Sequence, residues 1–211
     1  MKNWWTVILI VVPFWLRGQE FSVTEATRFS IGVVPQYAIT NGIRMDLDFR
    51  LSEKGQWLVA GPQVYLNSGT SNIWEYERMS GVGIDLQHRM YLKGLSFPQG
   101  AYFAYGPVFQ HFSVRDKGLT TYDFQENNAN YIGLAEASRL TRITKLGGNL
   151  IFGYQLVIDG YLYFDFYIGT GIRFSYDDRT SGLHENYNEW WGDLGYSGTL
   201  MVAGIRFGIT R

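Results

Sequence analysis

The 211-residue chain contains no cysteine, which excludes disulfides, Cys-ligated zinc or iron–sulfur sites, thiol catalysis and an acylated N-terminal cysteine. Charge is sparse, at 18% of residues, and lacks a basic surplus: 18 Lys and Arg stand against 19 Asp and Glu, a formal net charge of −1. A surface that neutralises phosphates needs excess cations, so nucleic acid is not an expected partner. Alanine is scarce too, and past the N-terminus no apolar run approaches the ~20 residues of a spanning helix. What is abundant is glycine, with 25 positions, and tyrosine, with 15, in a chain that is 46% hydrophobic and 17% aromatic. That composition excludes a disordered chain and favours strands and tight turns over helices. The length fits one domain.

The first residues form a separate unit. Met1-Lys2-Asn3 gives a positive start, Trp4 to Leu16 has only Thr6 as a polar residue, and Arg17-Gly18-Gln19-Glu20 turns polar. This order is that of a signal peptide over residues 1–18, with a cut near Gly18. The stretch is too short for a spanning helix and is interrupted by Pro13. Loss of Lys2 and Arg17 leaves 16 basic against 19 acidic side chains, a formal charge of −3. Residues 19–28 read as a lead-in, and the exported remainder as a periplasmic protein, a secreted one or a β-barrel.

From there the period is two. Ile43-Arg44-Met45-Asp46-Leu47-Asp48-Phe49-Arg50-Leu51 alternates without a fault, a strand with one apolar and one charged face. Asn41-Gly42 before it is a hairpin dipeptide, which makes Phe29 to Thr40 the expected partner strand. The alternation recurs over Trp57–Leu66, Val82–Leu92, Ala101–Ser113 and Asn149–Ile158. After the hairpin dipeptide Asp159-Gly160 it continues over Leu162–Ser175 and again over Leu200–Thr210. Most of these eight segments are longer than the usual strand of about 5 to 6 residues and match the ~9 to 11 of a tilted transmembrane strand.

Periodicity alone does not say which face meets solvent. The polar face carries Arg44, Asp46, Asp48, Arg50, Asp85, Arg89, Asp165, Arg173 and Arg206, many glycines and hardly any lysine. A water-exposed face favours Lys and Glu and has no need of glycine, whereas the inside of a narrow barrel mixes small residues with paired charges. The bulky face is then the one for lipid. With an exported N-terminus the even connections, Ser52–Gln56, Lys93–Gly100 and Asp159-Gly160, are short. Three of the odd ones, Asn67–Gly81, Val114–Gly148 and Asp177–Gly198, are long, which is the asymmetry of outer-membrane barrels. The expected fold is therefore all-β: an eight-stranded antiparallel up-and-down transmembrane β-barrel over residues 29–211, with short periplasmic turns and long extracellular loops. Tyr65, Tyr91, Tyr102, Tyr161 and Tyr176, near strand ends, are candidates for interfacial girdles. In strand count, alternation and loop asymmetry the chain resembles the small outer-membrane barrels of Gram-negative bacteria with OmpA/OmpX-like architecture. The resemblance implies a cell outer-membrane location, with membrane lipid and lipopolysaccharide as surroundings. Many such barrels finish on an aromatic residue; this one ends Phe207-Gly208-Ile209-Thr210-Arg211.

Few residues suggest chemistry. His88 and His111 fall on the outward parity and His184 in the last long loop, so they do not combine as a metal site, and neither metal nor cofactor is expected. His111 and Ser113, at i and i+2, share a strand face and could pair a base with a hydroxyl nucleophile, with Glu126 to orient the base. His111-Phe112-Ser113 resembles the His-x-Ser of outer-membrane lipid A deacylases, but a girdle histidine beside a loop-edge serine is the preferred reading. The inward charges read as an ion-paired plug ahead of a narrow conducting path or a polar ligand site. In the outer loops Trp74, Tyr76, Tyr122, Phe124, Tyr187, Trp190 and Trp191 stand among polar residues, a composition suited to recognition. Asn128 to Lys145 reads as a loop with a short helix. The leading expectation is a non-enzymatic barrel whose loops bind an outer-membrane protein partner or serve the envelope structurally. The alternatives are an acyl hydrolase using His111 and Ser113, and a soluble periplasmic barrel that binds an apolar ligand.

Overall fold

The computed structural model describes residues 27–68, 78–92, 98–126, 129–178 and 193–211. The expected leader, nearly all of the lead-in, and Trp74, Tyr76, His184, Tyr187, Trp190 and Trp191 lie outside the described residues. Eight strands follow in order: β1 (Phe29–Val33), β2 (Gly42–Ser52), β3 (Gln56–Ser68), β4 (Arg78–Tyr91), β5 (Gly100–Glu126), β6 (Ala129–Ile158), β7 (Leu162–Asp178) and β8 (Gly198–Thr210). Each pairs antiparallel with the next, and Ser30 to Val33 pair with Thr210 to Phe207, so the sheet closes into a barrel.

The two-residue period sorts the side chains between inside and outside. On β2, Arg44, Asp46 and Asp48 are buried in the barrel, whereas Ile43, Met45 and Phe49 are exposed on its outer surface. Phe152, Phe166, Ile168, Phe174, Ile205 and Phe207 extend the same outer surface over β6, β7 and β8. A register slip of one residue would exchange the two faces, so the charge pattern fixes the register as firmly as an apolar core would.

At the short-turn end, Asp159 and Gly160 join β6 to β7 with φ of 52° and 77°, the two positive values of a type I′ turn. The other expected hairpin is not formed. The strand that the alternation extends to Thr40 ends at Val33, because Pro35 cannot donate to a ladder and instead opens a 3-10 helix, Pro35–Thr40. Asn41, with φ of 54°, closes that helix and does not form a two-residue turn. Ladder pairing between β1 and β8 therefore stops at Val33 and Phe207. From Gly198 to Arg206, β8 has no strand on that side among the described residues.

The long connection expected over Val114–Gly148, with its short helix, is also corrected. β5 and β6 continue as one hairpin, in unbroken register from Gly100 opposite Gln155 to Glu126 opposite Ala129. Leu134, Ala135, Ala137 and Leu140 have a helix-like spacing, but they lie opposite Thr121, Thr120, Gly118 and Arg115 in the continuous ladder with β5, and pairing overrides the local preference. β4 accompanies β5 only to Arg115, and β7 accompanies β6 only to Arg142. Residues 117–126 and their partners thus run roughly 33 Å along the strands, at ~3.3 Å per residue, beyond the last described pairings with β4 and β7. Tyr122, Phe124 and Tyr131 form an exposed aromatic row on this ribbon, with centroids 5.6 and 5.4 Å apart.

Parity corrects the girdle as well. Tyr161 and Tyr176 are exposed, whereas Tyr65, Tyr91 and Tyr102 occupy inward positions and are buried in the lumen.

Candidate functional site

The lumen is built in layers. At the short-turn end Trp57, Tyr91, Tyr102, Ala104 and Ile151 pack together. Arg89 rests on this layer, its guanidinium carbon 4.3 Å from the centroid of Tyr102.

Above it lies a continuous ion-pair network. Asp46 accepts from Arg44 Nε at 2.6 Å and from Arg206 at 3.0 Å. Asp48 accepts from Arg206 at 3.1 Å and from Arg89 at 3.3 Å. Arg206 also pairs with Asp165, from which Arg89 stands 3.6 Å away. Arg44 reaches across to Asp85 at 2.8 Å. Asn149 donates to Asp85 at 3.0 Å and accepts from Arg173 at 2.8 Å, which carries the chain of contacts to β7. Tyr102 donates to Asp165 at 2.8 Å, and Tyr91 to Gln155 at 2.9 Å. Arg44, Arg89, Arg206 and the four aspartates are tolerated this deep because each finds an opposite charge and further hydrogen bonds; a lone charge would cost on the order of 3–5 kcal/mol. Glycine makes room for them: a Cβ at Gly61 would stand 2.5 Å from Asp46 Oδ1 and 2.8 Å from Arg44 Nε.

Between this network and the long-loop end is a cavity of about 320 Å³, walled by Tyr65 and Phe112 and floored by Arg44, Asp85 and Asn149. The 3-10 helix folds over it: Gln36 donates to Tyr167 at 2.7 Å, and the Tyr37 ring lies 6.0 Å from that of Tyr65.

Eight of the nine charged residues singled out on the polar face, Arg44, Asp46, Asp48, Asp85, Arg89, Asp165, Arg173 and Arg206, are placed in this lumen. Arg50 is not among them. The ladder shifts between Arg50 and Ser52, and Arg50 Nε turns to the Ser52 carbonyl at 3.3 Å, beyond the last lumen layer. Lys145, expected in a long loop, is in the lumen; the alternation Thr141, Ile143, Lys145 carries the signal. Asn149, Gln155 and the lumen tyrosines were missed as site residues because a neutral side chain on a polar face gives no charge pattern.

His111 and Ser113 share the outer face of β5, and His111 Nδ1 lies 2.9 Å from Thr144 Oγ1 on β6. Glu126 is not brought to them. It is exposed at the hairpin tip opposite Ala129, and the 15 residues of continuous strand from His111 span roughly 50 Å. Among the described residues the triad therefore lacks its orienting carboxylate. Tyr122 is exposed on the projecting ribbon.

No family model matches the chain, and no curated protein sequence matches it. Among solved structures, CarO of Acinetobacter baumannii is similar at a TM-score of 0.40 and 13% identity, over 88% of this chain and 96% of that one. The functional reading consequently rests on the residues of this chain.

Proposed function

We propose that this chain is an integral outer-membrane β-barrel of non-enzymatic type. It sits among membrane lipid and lipopolysaccharide and works through its long-loop end, by binding an outer-membrane protein partner or by a structural role in the envelope. The observation that carries the reading is the inversion of faces: the lumen holds ion-paired Arg and Asp while Phe, Ile and Leu cover the outside. A water-soluble barrel has the opposite arrangement, with an apolar interior able to hold an apolar ligand. The ion pairs reach across the lumen between β2, β4, β7 and β8, which argues for a plug and against a wide pore. The projecting β5–β6 ribbon, with Tyr122, Phe124 and Tyr131 exposed among polar residues, is the surface best suited to a partner. Envelope fractionation, with gel mobility of heated and unheated samples, tests the reading. A membrane band that shifts on heating supports it, and a protein released without detergent overturns it.

A further inference from the structure

Two lumen cations stand apart from the rest. Arg44, Arg89 and Arg206 are each paired with carboxylates. Lys145 and Arg173 are also buried, yet neither has a carboxylate at ion-pairing distance among the described residues. Arg173 donates to the Gly148 and Ile172 carbonyls and to Asn149, and Lys145 reaches the Asp193 carbonyl at 3.5 Å. Lys145 lies opposite Ser175 and Arg173 opposite Gly147, so the two are diagonal neighbours on the inner face of β6 and β7. Both line the 320 Å³ cavity.

The same cavity is lined by Leu200 and Val202 and also by Met201 and Ala203. Successive side chains of a strand point to opposite faces, so a cavity touching all four runs along the backbone of β8. The edge toward β7 is closed by the ladder from Leu162 to Arg173. Among the described residues the open edge is the one that β1 leaves at Val33, where the 3-10 helix stands in place of a strand. The opening lies at the height of the apolar belt, because Met201 is opposite Thr170, with Ile172 and Phe174 farther along the same outer face. Ile39 of the helix and Met201 are exposed to 73% and 70%, among the most exposed apolar side chains of the barrel.

We infer that this cavity binds an amphiphile with an anionic head and a single apolar chain, the head at Lys145 and Arg173 and the chain leaving sideways between the 3-10 helix and β8. Arg44, Lys145 and Arg173 outnumber Asp85 and Asp193 on the cavity wall, and the two cations without a direct ion pair among the described residues favour a carboxylate or a phosphate head. The lateral opening selects a chain that remains in apolar surroundings. The proposal rests on the membrane reading above for the source of its ligand, the surrounding lipid.

The test is calorimetric titration of the folded full chain in a neutral maltoside with dodecanoate, dodecyl phosphate and dodecyltrimethylammonium, and with acetate and inorganic phosphate as heads without chains. The expected result is saturable binding of the two anionic amphiphiles, weakened at least tenfold by Lys145→Gln with Arg173→Gln and at least tenfold by added salt. The preferred anion distinguishes a carboxylate from a phosphate source. Val202→Trp, which fills the cavity without touching the cations, is expected to weaken the amphiphiles and leave the chainless anions unchanged. Equal binding of the cationic amphiphile, or no effect of the double variant in a protein that keeps its heat-dependent mobility, overturns the site. Chainless anions binding as tightly as the amphiphiles overturns the ligand class. If the chain proves to be water-soluble, the same titration without detergent still separates this proposal from the membrane reading.

Discussion

Arg206 and Asp165 face each other directly in the β7–β8 ladder and form an ion pair with both side chains almost wholly buried. Because Arg206 also holds Asp46 and Asp48, it serves three carboxylates contributed by β2 and β7. Arg206→Met leaves those carboxylates with less positive charge than they need. The expected loss is about 3–5 kcal/mol, the usual range when one partner of a buried pair is removed, read as a lower urea midpoint for the barrel in micelles. Adding Asp165→Leu is expected to cost less than the sum of the two single changes, because the second removes a charge that the first stranded.

Gly61 and Ala60 test how the lumen is filled. Gly61→Val puts a side chain against the Arg44–Asp46 pair and is expected to lower stability by roughly 1–3 kcal/mol through overpacking. Ala60→Val, on the opposite parity, is expected to be nearly neutral. The two unfolding midpoints, measured side by side, check the assignment of faces.

Much of this lumen was legible in the sequence because charge and alternation coincide. Arg44, Asp46 and Asp48 could share a face only in a strand, and the glycines and scarce lysines of that face marked it as interior. The misreadings have local physical causes. Pro35 ended a strand that hydrophobicity alone continued to Thr40. The β5–β6 ribbon, exposed on both faces, lacks the clean alternation of a half-buried strand, so its residues read as a loop, and Lys145 was lost with them. Tyr65, Tyr91 and Tyr102 were placed by their proximity to strand ends when parity put them inside. Asn149 joins Asp85 to Arg173, a link that appears only when β4, β6 and β7 are set around a common lumen.

The ribbon should be dispensable for folding. Among the described residues, 118–137 pair only within the hairpin, so replacing them by Asn-Gly is expected to preserve membrane insertion and the heat-dependent mobility shift while removing the aromatic row. A truncated chain that fails to insert would show that the ribbon contributes to barrel stability.

Ser113→Ala is expected to leave lipid A unchanged. His111 is bound to Thr144, and among the described residues no carboxylate stands behind it, since Glu126 is at the hairpin tip. Mass spectrometry of lipid A from cells producing each form checks this, and an acyl chain retained only with the variant would restore the hydrolase.

The central claim is that the greasy face of the barrel meets lipid. The absence of native cysteine allows a single fluorophore to be attached at Phe166→Cys, in the exposed belt of β7, or at Asn130→Cys, on the ribbon. The decisive measurement is fluorescence quenching by brominated acyl chains after reconstitution into vesicles. The account predicts strong quenching at position 166 and none at 130; an unquenched probe at 166 in a folded chain would contradict it.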